Sequence, residues 1–225
     1  MIKVKNIIKN YTTGDIVTKV LKGIDLEIPS GQFLSIVGPS GAGKSTLLYQ
    51  MSLLDEPTKG EVLIDEQLAS NLTDKEKIRF RLNNFGFVFQ NHALIPEFNA
   101  LENVILADLM RGEKRNIAEE KAKKILDSLG IKKLASKLPS QISGGEKQRV
   151  GIARALAGNP KVLFTDEPTA SLDGKTSEQI ISVLKEVNKR GQTIIMVTHE
   201  KHHAKKADRM VTLKDGKIDK DIMLK

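Results

Sequence analysis

The amino-acid sequence predicts an α/β protein whose parallel β-sheet is covered by helices. Short apolar segments bounded by turn residues recur along the chain, as buried strands do. Amphipathic helical patterns lie between several of these segments, and strands that alternate with helices are typical of parallel sheets. The candidate strands are residues 33–37, 85–89, 162–165 and 193–197.

The candidate helices of this core are recognised by their apolar faces. The first follows the first core strand and has four apolar residues at helical spacing, namely Leu47, Leu48, Met51 and Leu54. The second ends at a stop signal of two basic residues and a glycine, and its face comprises Ile180, Leu184 and Val187. Faces of this width pack against a core, so both helices should cover the sheet.

Two regions depart from this alternation. Residues 20–31 and 60–67 form short alternating patterns joined by Pro and Gly turns, which predicts a small antiparallel sheet in the N-terminal part. From about residue 99 to residue 157 the pattern is mostly helical, which predicts a helical insertion into the α/β core. Its apolar stripe ends at Gly130 and contains Ile117, Ala122, Ile125, Leu126 and Leu129.

Composition restricts the class of function. A chain of 225 residues can form one globular unit with a substantial core. The net charge of +8 would suit nucleic acid, anionic lipid or a polyphosphate ligand, but the lysines are spread as on solvated helix faces. Aromatic residues are only 4%, so we expect no nucleic-acid partner. The absence of cysteine excludes disulfides and thiolate metal sites.

No segment approaches the ~18 apolar residues that a membrane-spanning helix needs. The first ten residues also lack a sustained apolar run. We therefore expect a cytoplasmic chain that reaches a membrane only through a partner.

The segment GPSGAGKST, residues 38–46, follows a predicted strand and begins a predicted helix, as a G-x-x-x-x-G-K-[ST] phosphate loop requires. Its glycines let backbone N–H groups approach phosphate oxygens, and the helix N-terminus adds a positive dipole end. Lys44 would contact the β- and γ-phosphates, and the Ser45 hydroxyl would bind Mg²⁺. The residues expected to bind nucleotide here are Gly38, Ser40, Gly41, Gly43, Lys44, Ser45 and Thr46. Because the guanine-reading motif N-K-x-D is missing, ATP is favoured.

Two adjacent carboxylates, Asp166 and Glu167, end the predicted strand at residues 162–165. Acidic groups at the end of a buried strand need solvent, a partner or a metal. Because successive strand residues face opposite ways, we assign Asp166 to Mg²⁺ and Glu167 to the attacking water. The alternative is an N-capping acidic pair at the turn before Pro168.

The tetrad Ser143-Gly144-Gly145-Glu146 precedes an amphipathic helix and fits an S-x-x-E capping box. The box does not explain the two glycines, because each costs up to about 1 kcal/mol relative to alanine in a helix. Bare amides beside a serine hydroxyl form an anion site, and a nucleotide phosphate is the obvious anion. Since the chain already has one phosphate loop, this second cradle indicates a second chain.

With these motifs the sequence resembles, over nearly its entire length, the nucleotide-binding subunits of ABC transporters. The resemblance implies a P-loop NTPase fold, with a RecA-like core and antiparallel β subdomain at residues 1–90 and 158–225. Residues 91–157 would form the helical subdomain that carries the signature. In that family two subunits stack head to tail, so we expect a homodimer around two ATP·Mg sites.

The remaining family motifs occur in order. Tyr11 matches the aromatic residue that stacks on adenine, Gln90 the Q-loop glutamine and residues 171–173 the D-loop. His199 matches the switch histidine that contacts the γ-phosphate. The resemblance implies catalytic roles for Lys44, Gln90, Glu167 and His199, and metal binding by Ser45, Gln90 and Asp166. Each site would be completed by Ser143, Gly144 and Gly145 of the second chain.

Some residues depart from the family pattern. The signature has Ile142 and Glu146 where leucine and glutamine are commonest, and Thr165 lies in a strand that is usually fully apolar. Isoleucine keeps an apolar anchor and Glu146 keeps the cap, so we expect activity to survive.

The segment after Gln90 resembles the lipoprotein-releasing and macrolide-exporter branch. The branch implies a separate membrane permease subunit, which would hold this chain on the inner face of the cell membrane. Four apolar residues in this segment suit either a groove for the partner's coupling helix or core packing, namely Ala93, Leu94, Ile95 and Phe98. The alternative function is a non-transport ABC ATPase that signals to a cell-division membrane partner.

Overall fold

The computed structural model describes residues 1–69 and 71–225, and its strands form two sheets. The strands are β1 (Ile2–Thr13), β2 (Ile16–Ile28), β3 (Phe33–Val37), β4 (Lys59–Ile64), β5 (Gln67–Leu68), β6 (Phe85–Val88), β7 (Val162–Asp166), β8 (Thr193–Val197), β9 (Arg209–Lys214) and β10 (Lys217–Met223). The α-helices are α1 (Lys44–Met51), α2 (Asp74–Asn84), α3 (Ala100–Met110), α4 (Arg115–Ser128), α5 (Gly144–Ala157), α6 (Gly174–Lys189) and α7 (Lys201–Ala204).

The larger sheet has six strands in the order β10-β9-β3-β8-β7-β6, and only β10 runs antiparallel to its neighbour. It contains the four strands predicted from apolar segments, although β6 ends one residue early and β7 extends through Asp166. The smaller sheet is antiparallel, in the order β2-β1-β4-β5. The two predicted N-terminal strands, β2 and β4, both belong to it, and each pairs with β1.

Both faces of the parallel sheet are covered, because successive side chains of each core strand enter different apolar clusters. In β7, Leu163 packs into the cluster that holds α3 to α6, whereas Phe164 packs into the cluster that holds α1 and the antiparallel sheet. In β8, Ile194 and Ile195 divide in the same way. The helical segment therefore covers one face of the sheet and the N-terminal part covers the other.

Two expectations about helix faces are wrong. Helix α1 ends at Met51, because the N–H groups of Leu54 and Asp55 fold back to the carbonyl of Tyr49 over 3.0 and 3.2 Å. Leu54 is consequently 43% exposed and does not extend the apolar face. In α4 the buried position is Ala118 and not Ile117, which is exposed. The buried residues of α4 are Ala118, Ala122 and Leu126, so Ala118 takes the place in the core-facing stripe that was expected for Ile117.

Within the described ranges, 1–69 and 71–225, every helix is too short or too polar to span a bilayer.

Candidate functional site

The candidate site lies along one edge of the larger sheet, where four parallel strands end. Beyond β3 comes the phosphate loop, beyond β6 comes Gln90, β7 ends with Asp166, and beyond β8 comes His199. Parallel strands present their carboxyl ends at the same edge, which is where α/β proteins bind ligands. The alternation of strands and helices thus brings together residues that are up to 161 positions apart in the sequence.

The phosphate loop needs glycine at defined positions. A Cβ on Gly38 would lie 2.2 Å from the carbonyl oxygen of Leu213 in β9, so no larger residue fits there. Gly43 adopts the left-handed conformation, φ 94°, at the N-cap of α1. Gly41 also has positive φ, 76°, with open space around it. The middle of the loop, residues 39–41, is exposed and can be approached by a ligand.

Lys44 is buried at the first turn of α1, and its Nζ donates to the carbonyls of Gly38 and Pro39 at 3.0 Å each. Among the described residues no carboxylate lies within ion-pair distance of Lys44. A buried cation held only by neutral carbonyls is poorly compensated and attracts an anion. The loop around it therefore favours a ligand such as phosphate.

A carboxylate and two hydroxyls meet beside this loop. Asp166 Oδ1 accepts a hydrogen bond from Ser45 Oγ, and Asp166 Oδ2 accepts one from the Tyr49 hydroxyl, each over 2.9 Å. Hydroxyl and carboxylate oxygens are the ligands that Mg²⁺ prefers, and it usually takes one or two protein ligands plus phosphate oxygens and water. Within the described residues no cluster of three or more His, Cys, Asp or Glu could hold a metal. The donor set therefore fits Mg²⁺ held jointly with a nucleotide.

Glu167 and His199 lie together. Glu167 has positive φ, 48°, and its N–H donates to the carbonyl of Val197 at the end of β8 over 3.0 Å. Its Oε2 accepts from the backbone N–H of His199 over 3.3 Å and lies 2.9 Å from His199 Nδ1. An L-residue in the left-handed region is strained, and such strain is found at functional sites. The acidic pair does not cap a helix, so that alternative is wrong.

Tyr11 lies near the end of β1 and is 42% exposed. Its hydroxyl donates to Asp55 Oδ2 over 2.8 Å, and Lys9 Nζ lies 4.9 Å from its ring centroid. Partial burial, and then the bonded Asp55, raise the pKa of Tyr11. Burial would raise the pKa of Asp55, but hydrogen bonds from Lys9 and Tyr11 lower it overall. The ring is thus held at the sheet edge with one part accessible to a ligand.

Gln90 is exposed, and its backbone carbonyl accepts a hydrogen bond from the Ser171 hydroxyl over 3.2 Å. The chain continues through His92 and Ala93, both with positive φ, and Arg154 of α5 donates to both their carbonyls. This loop is therefore fixed to the signature helix at one end and to the segment after Glu167 at the other.

The signature segment forms the predicted capping box. The N–H of Glu146 donates to Ser143 Oγ over 3.4 Å, and the N–H of Ser143 donates to Glu146 Oε2 over 2.9 Å. The need for glycine at position 145 has a cause within the chain, because a Cβ there would lie 2.3 Å from Cγ2 of Thr176. The inference that a glycine here requires an approaching ligand was therefore incomplete. Gly144 is exposed and its nearest outside atom is a methyl of Leu172, 3.4 Å from the Cβ position.

The structure thus brings Lys44, Ser45, Asp166, Glu167 and His199 to one edge. No hydrogen bond among the described residues joins 143–145 of the signature to 38–46 of the phosphate loop, and Gly145 lies against Thr176 of α6.

Sequence reasoning missed Tyr49 and Asp55, which fix Asp166 and Tyr11. The spacing of four residues between Ser45 and Tyr49 on one helix was the available signal for the first of them.

Of the two alternatives for the segment after Gln90, core packing is favoured for Leu94, which is partly buried against the apolar core of the helical segment. Ala93 instead lines an open groove of about 380 Å³ between that segment and the sheet.

Comparison with known proteins agrees with this architecture. Residues 21–170 match the family model described as ABC transporter. The chain is 48% identical over 222 residues to the lipoprotein-releasing system ATP-binding protein LolD of Bacteroides thetaiotaomicron, covering 98% of this chain and 100% of that protein. It is 42% identical to the macrolide export ATP-binding/permease protein MacB of Pasteurella multocida, covering 98% of this chain and 34% of MacB.

A solved structure is similar throughout. It is the dimeric ATP-binding cassette MJ0796 of Methanocaldococcus jannaschii, in a post-hydrolysis state bound to ADP and Pi. Its TM-score is 0.92 at 41% identity, covering 100% of this chain and 99% of that one. The chain described here belongs to the ABC transporter family and is one of its ATP-hydrolysing cassettes.

Proposed function

We propose that the chain is the ATPase of a transporter of the lipoprotein-releasing or macrolide-exporter type, working as a head-to-tail homodimer. Each of two sites would combine the phosphate loop, Gln90, Asp166, Glu167 and His199 of one copy with Ser143 and its glycines from the other. The similarity to LolD and MacB and the dimeric state of MJ0796 support this proposal.

One observation carries it. The sheet edge supplies groups suited to binding a nucleotide and positioning water, whereas the signature, whose N-terminal amides could hold a phosphate, lies against the start of α6 in the same chain. Gly145 contacts Thr176 of α6, and no hydrogen bond in the described part of the chain links the cradle to the phosphate loop. A second copy could bring its cradle to the first copy's loop.

The nucleotide-binding half would work through the groups already described. Lys44 would exchange its two loop carbonyls for phosphate oxygens, and Tyr11 would present its ring to the adenine. Ser45 and Asp166 would hold Mg²⁺, with Gln90 as a further ligand. Bound Mg²⁺ neutralises charge on the β- and γ-phosphate oxygens.

Glu167 and His199 would act on the attacking side. Glu167 would hold the water in line with the γ-phosphate and accept its proton. His199 Nδ1 lies 2.9 Å from Glu167, so the imidazole orients this carboxylate. When Nδ1–H of His199 donates to Glu167, only Nε2 is left to contact the γ-phosphate. Nε2 can donate to the phosphate only if it also carries a proton, so the imidazole must then be protonated on both nitrogens. Through this pair, contact of His199 with the γ-phosphate would help to orient the Glu167 carboxylate that holds the attacking water.

The groove between the helical segment and the sheet is the proposed docking site for the permease. Its lining includes three exposed apolar residues, Leu54, Ile78 and Met110, which are 43%, 53% and 64% exposed. It adjoins the loop after Gln90 through Ala93, so a helix seated there could move that loop. Through this partner the chain would be peripheral on the cytoplasmic face of the membrane.

The function is tested with Glu167→Gln. This variant should bind ATP and accumulate as a dimer on size-exclusion chromatography, while hydrolysis falls by at least about 100-fold. If Glu167→Gln hydrolyses ATP at a near-normal rate, Glu167 is not the residue that activates the attacking water. Identifying the copurifying membrane subunit then separates a permease with a large extracytoplasmic domain from a division-site partner, which would favour the signalling alternative.

A further inference from the structure

Tyr49 contacts the candidate metal site but has no role in the function proposed above. Among the described residues, two side chains donate to Asp166, namely Ser45 to Oδ1 and Tyr49 to Oδ2, each over 2.9 Å. Residues 45 and 49 are four apart in α1, so their side chains lie on the same helix face one turn apart. Two hydroxyls of one helix therefore hold both oxygens of one carboxylate.

The phenol is suited to a permanent donor role. A tyrosine hydroxyl ordinarily keeps its proton up to a pH of about 10, so at neutral pH Tyr49 is a donor to the Asp166 carboxylate. The position of the residue is also fixed, because the Tyr49 carbonyl accepts from the N–H groups of Leu54 and Asp55 where the chain folds back after α1. The backbone that positions the Tyr49 side chain against Asp166 is consequently held in place.

We propose that Tyr49 is a positioning residue for the metal site, fixing the rotation of the Asp166 carboxylate so that Oδ1 stays directed at the Ser45 hydroxyl. This inference rests on the proposed function, which places Mg²⁺ at Ser45 and Asp166. Without the phenol the carboxylate can turn, and it has to be ordered when the cation binds. Affinity for Mg²⁺ then falls, whereas nucleotide binding without Mg²⁺ is unchanged because the phenol bonds to Asp166 and not to the phosphate loop.

The first test measures binding of a fluorescent ADP analogue to wild type and Tyr49→Phe, in EDTA and across a Mg²⁺ titration. We expect Tyr49→Phe to need about tenfold more Mg²⁺ for half-saturation, with unchanged affinity in EDTA. Ser52→Ala is the matched control, since it removes a buried hydroxyl that donates to the Tyr49 carbonyl over 3.3 Å but does not contact Asp166. Equal Mg²⁺ requirements in wild type and Tyr49→Phe, or an equal shift in Ser52→Ala, would overturn the proposal.

The second test uses the tyrosine itself. The chain has two tyrosines and no tryptophan. In the Tyr11→Phe variant, Tyr49 is therefore the only source of tyrosine fluorescence. At saturating ADP, Mg²⁺ should change this emission over the range in which it binds, and a further Asp166→Asn substitution should abolish the change. If the fluorescence of Tyr49 does not change with Mg²⁺ concentration, the proposed role of Tyr49 is refuted. If wild type binds ADP no differently in Mg²⁺ and EDTA, the proposed metal site itself fails.

Discussion

Substituting alanine for Gly145 separates two reasons for a glycine in the first turn of α5. The new Cβ would lie 2.3 Å from Cγ2 of Thr176. Thr176 is not free to turn aside, because its hydroxyl donates to Asp173 Oδ2 over 2.7 Å at the start of α6. Overlap costs about 1–3 kcal/mol, and the better helix propensity of alanine returns less than ~1 kcal/mol. We therefore expect Gly145→Ala to lower the free energy of unfolding by about 1–2 kcal/mol.

Thr176→Ser is the compensating change, because it removes the methyl and keeps the hydroxyl that bonds to Asp173. In the double variant the loss of stability should disappear, while ATPase activity stays low because the proposed phosphate contact needs a bare backbone at position 145. Denaturant unfolding of wild type, both single variants and the double variant measures the coupling, and steady-state ATPase measures function. Additive effects on unfolding would refute the packing argument, whereas full ATPase in the double variant would refute the phosphate contact.

Two further outcomes follow from the structure. Thr165→Val should raise the free energy of unfolding by about 1 kcal/mol, because the Thr165 hydroxyl is fully buried and has no hydrogen-bond partner among the described residues. Denaturant midpoints check this, and lower stability would show that the hydroxyl has a partner. Met110→Glu should leave ATPase activity and melting temperature unchanged but reduce sedimentation with native membranes, whereas Leu94→Glu should lower the melting temperature, because Leu94 packs partly buried against the core of the helical segment. Unchanged membrane sedimentation of the Met110 variant would exclude the groove as the docking site.

The core strands could be predicted because both their faces are buried and their residues are continuously apolar. Strands β1, β9 and β10 were not predicted, because polar residues interrupt them and their exposed faces carry lysines such as Lys5, Lys214 and Lys220. Local sequence carries little signal for strands of this kind, whose pairing depends on distant neighbours.

Most of the candidate site residues were predictable for a related reason, since they lie at the end of a core strand or at the start of a helix. Tyr11 lies within β1 and was identified from the family resemblance. Residues whose importance comes from one distant contact were not predictable. Thr176 decides the need for Gly145 from 31 positions away, and Tyr49 lies 117 positions from the aspartate that it contacts. No local pattern encodes such contacts, and only the fold reveals them.

The shared site is tested most directly by mixing two inactive variants. Lys44→Ala removes the phosphate-loop cation, and Ser143→Asp keeps a good N-cap but places negative charge where we propose a phosphate binds. A mixed dimer has one intact site, so an equal mixture should recover up to about a quarter of the wild-type sites, read as ATPase activity. Ser143→Asn serves as the neutral capping control. If the mixture stays as inactive as its components, or if Ser143→Asp alone hydrolyses ATP at the wild-type rate, the site is not shared between chains.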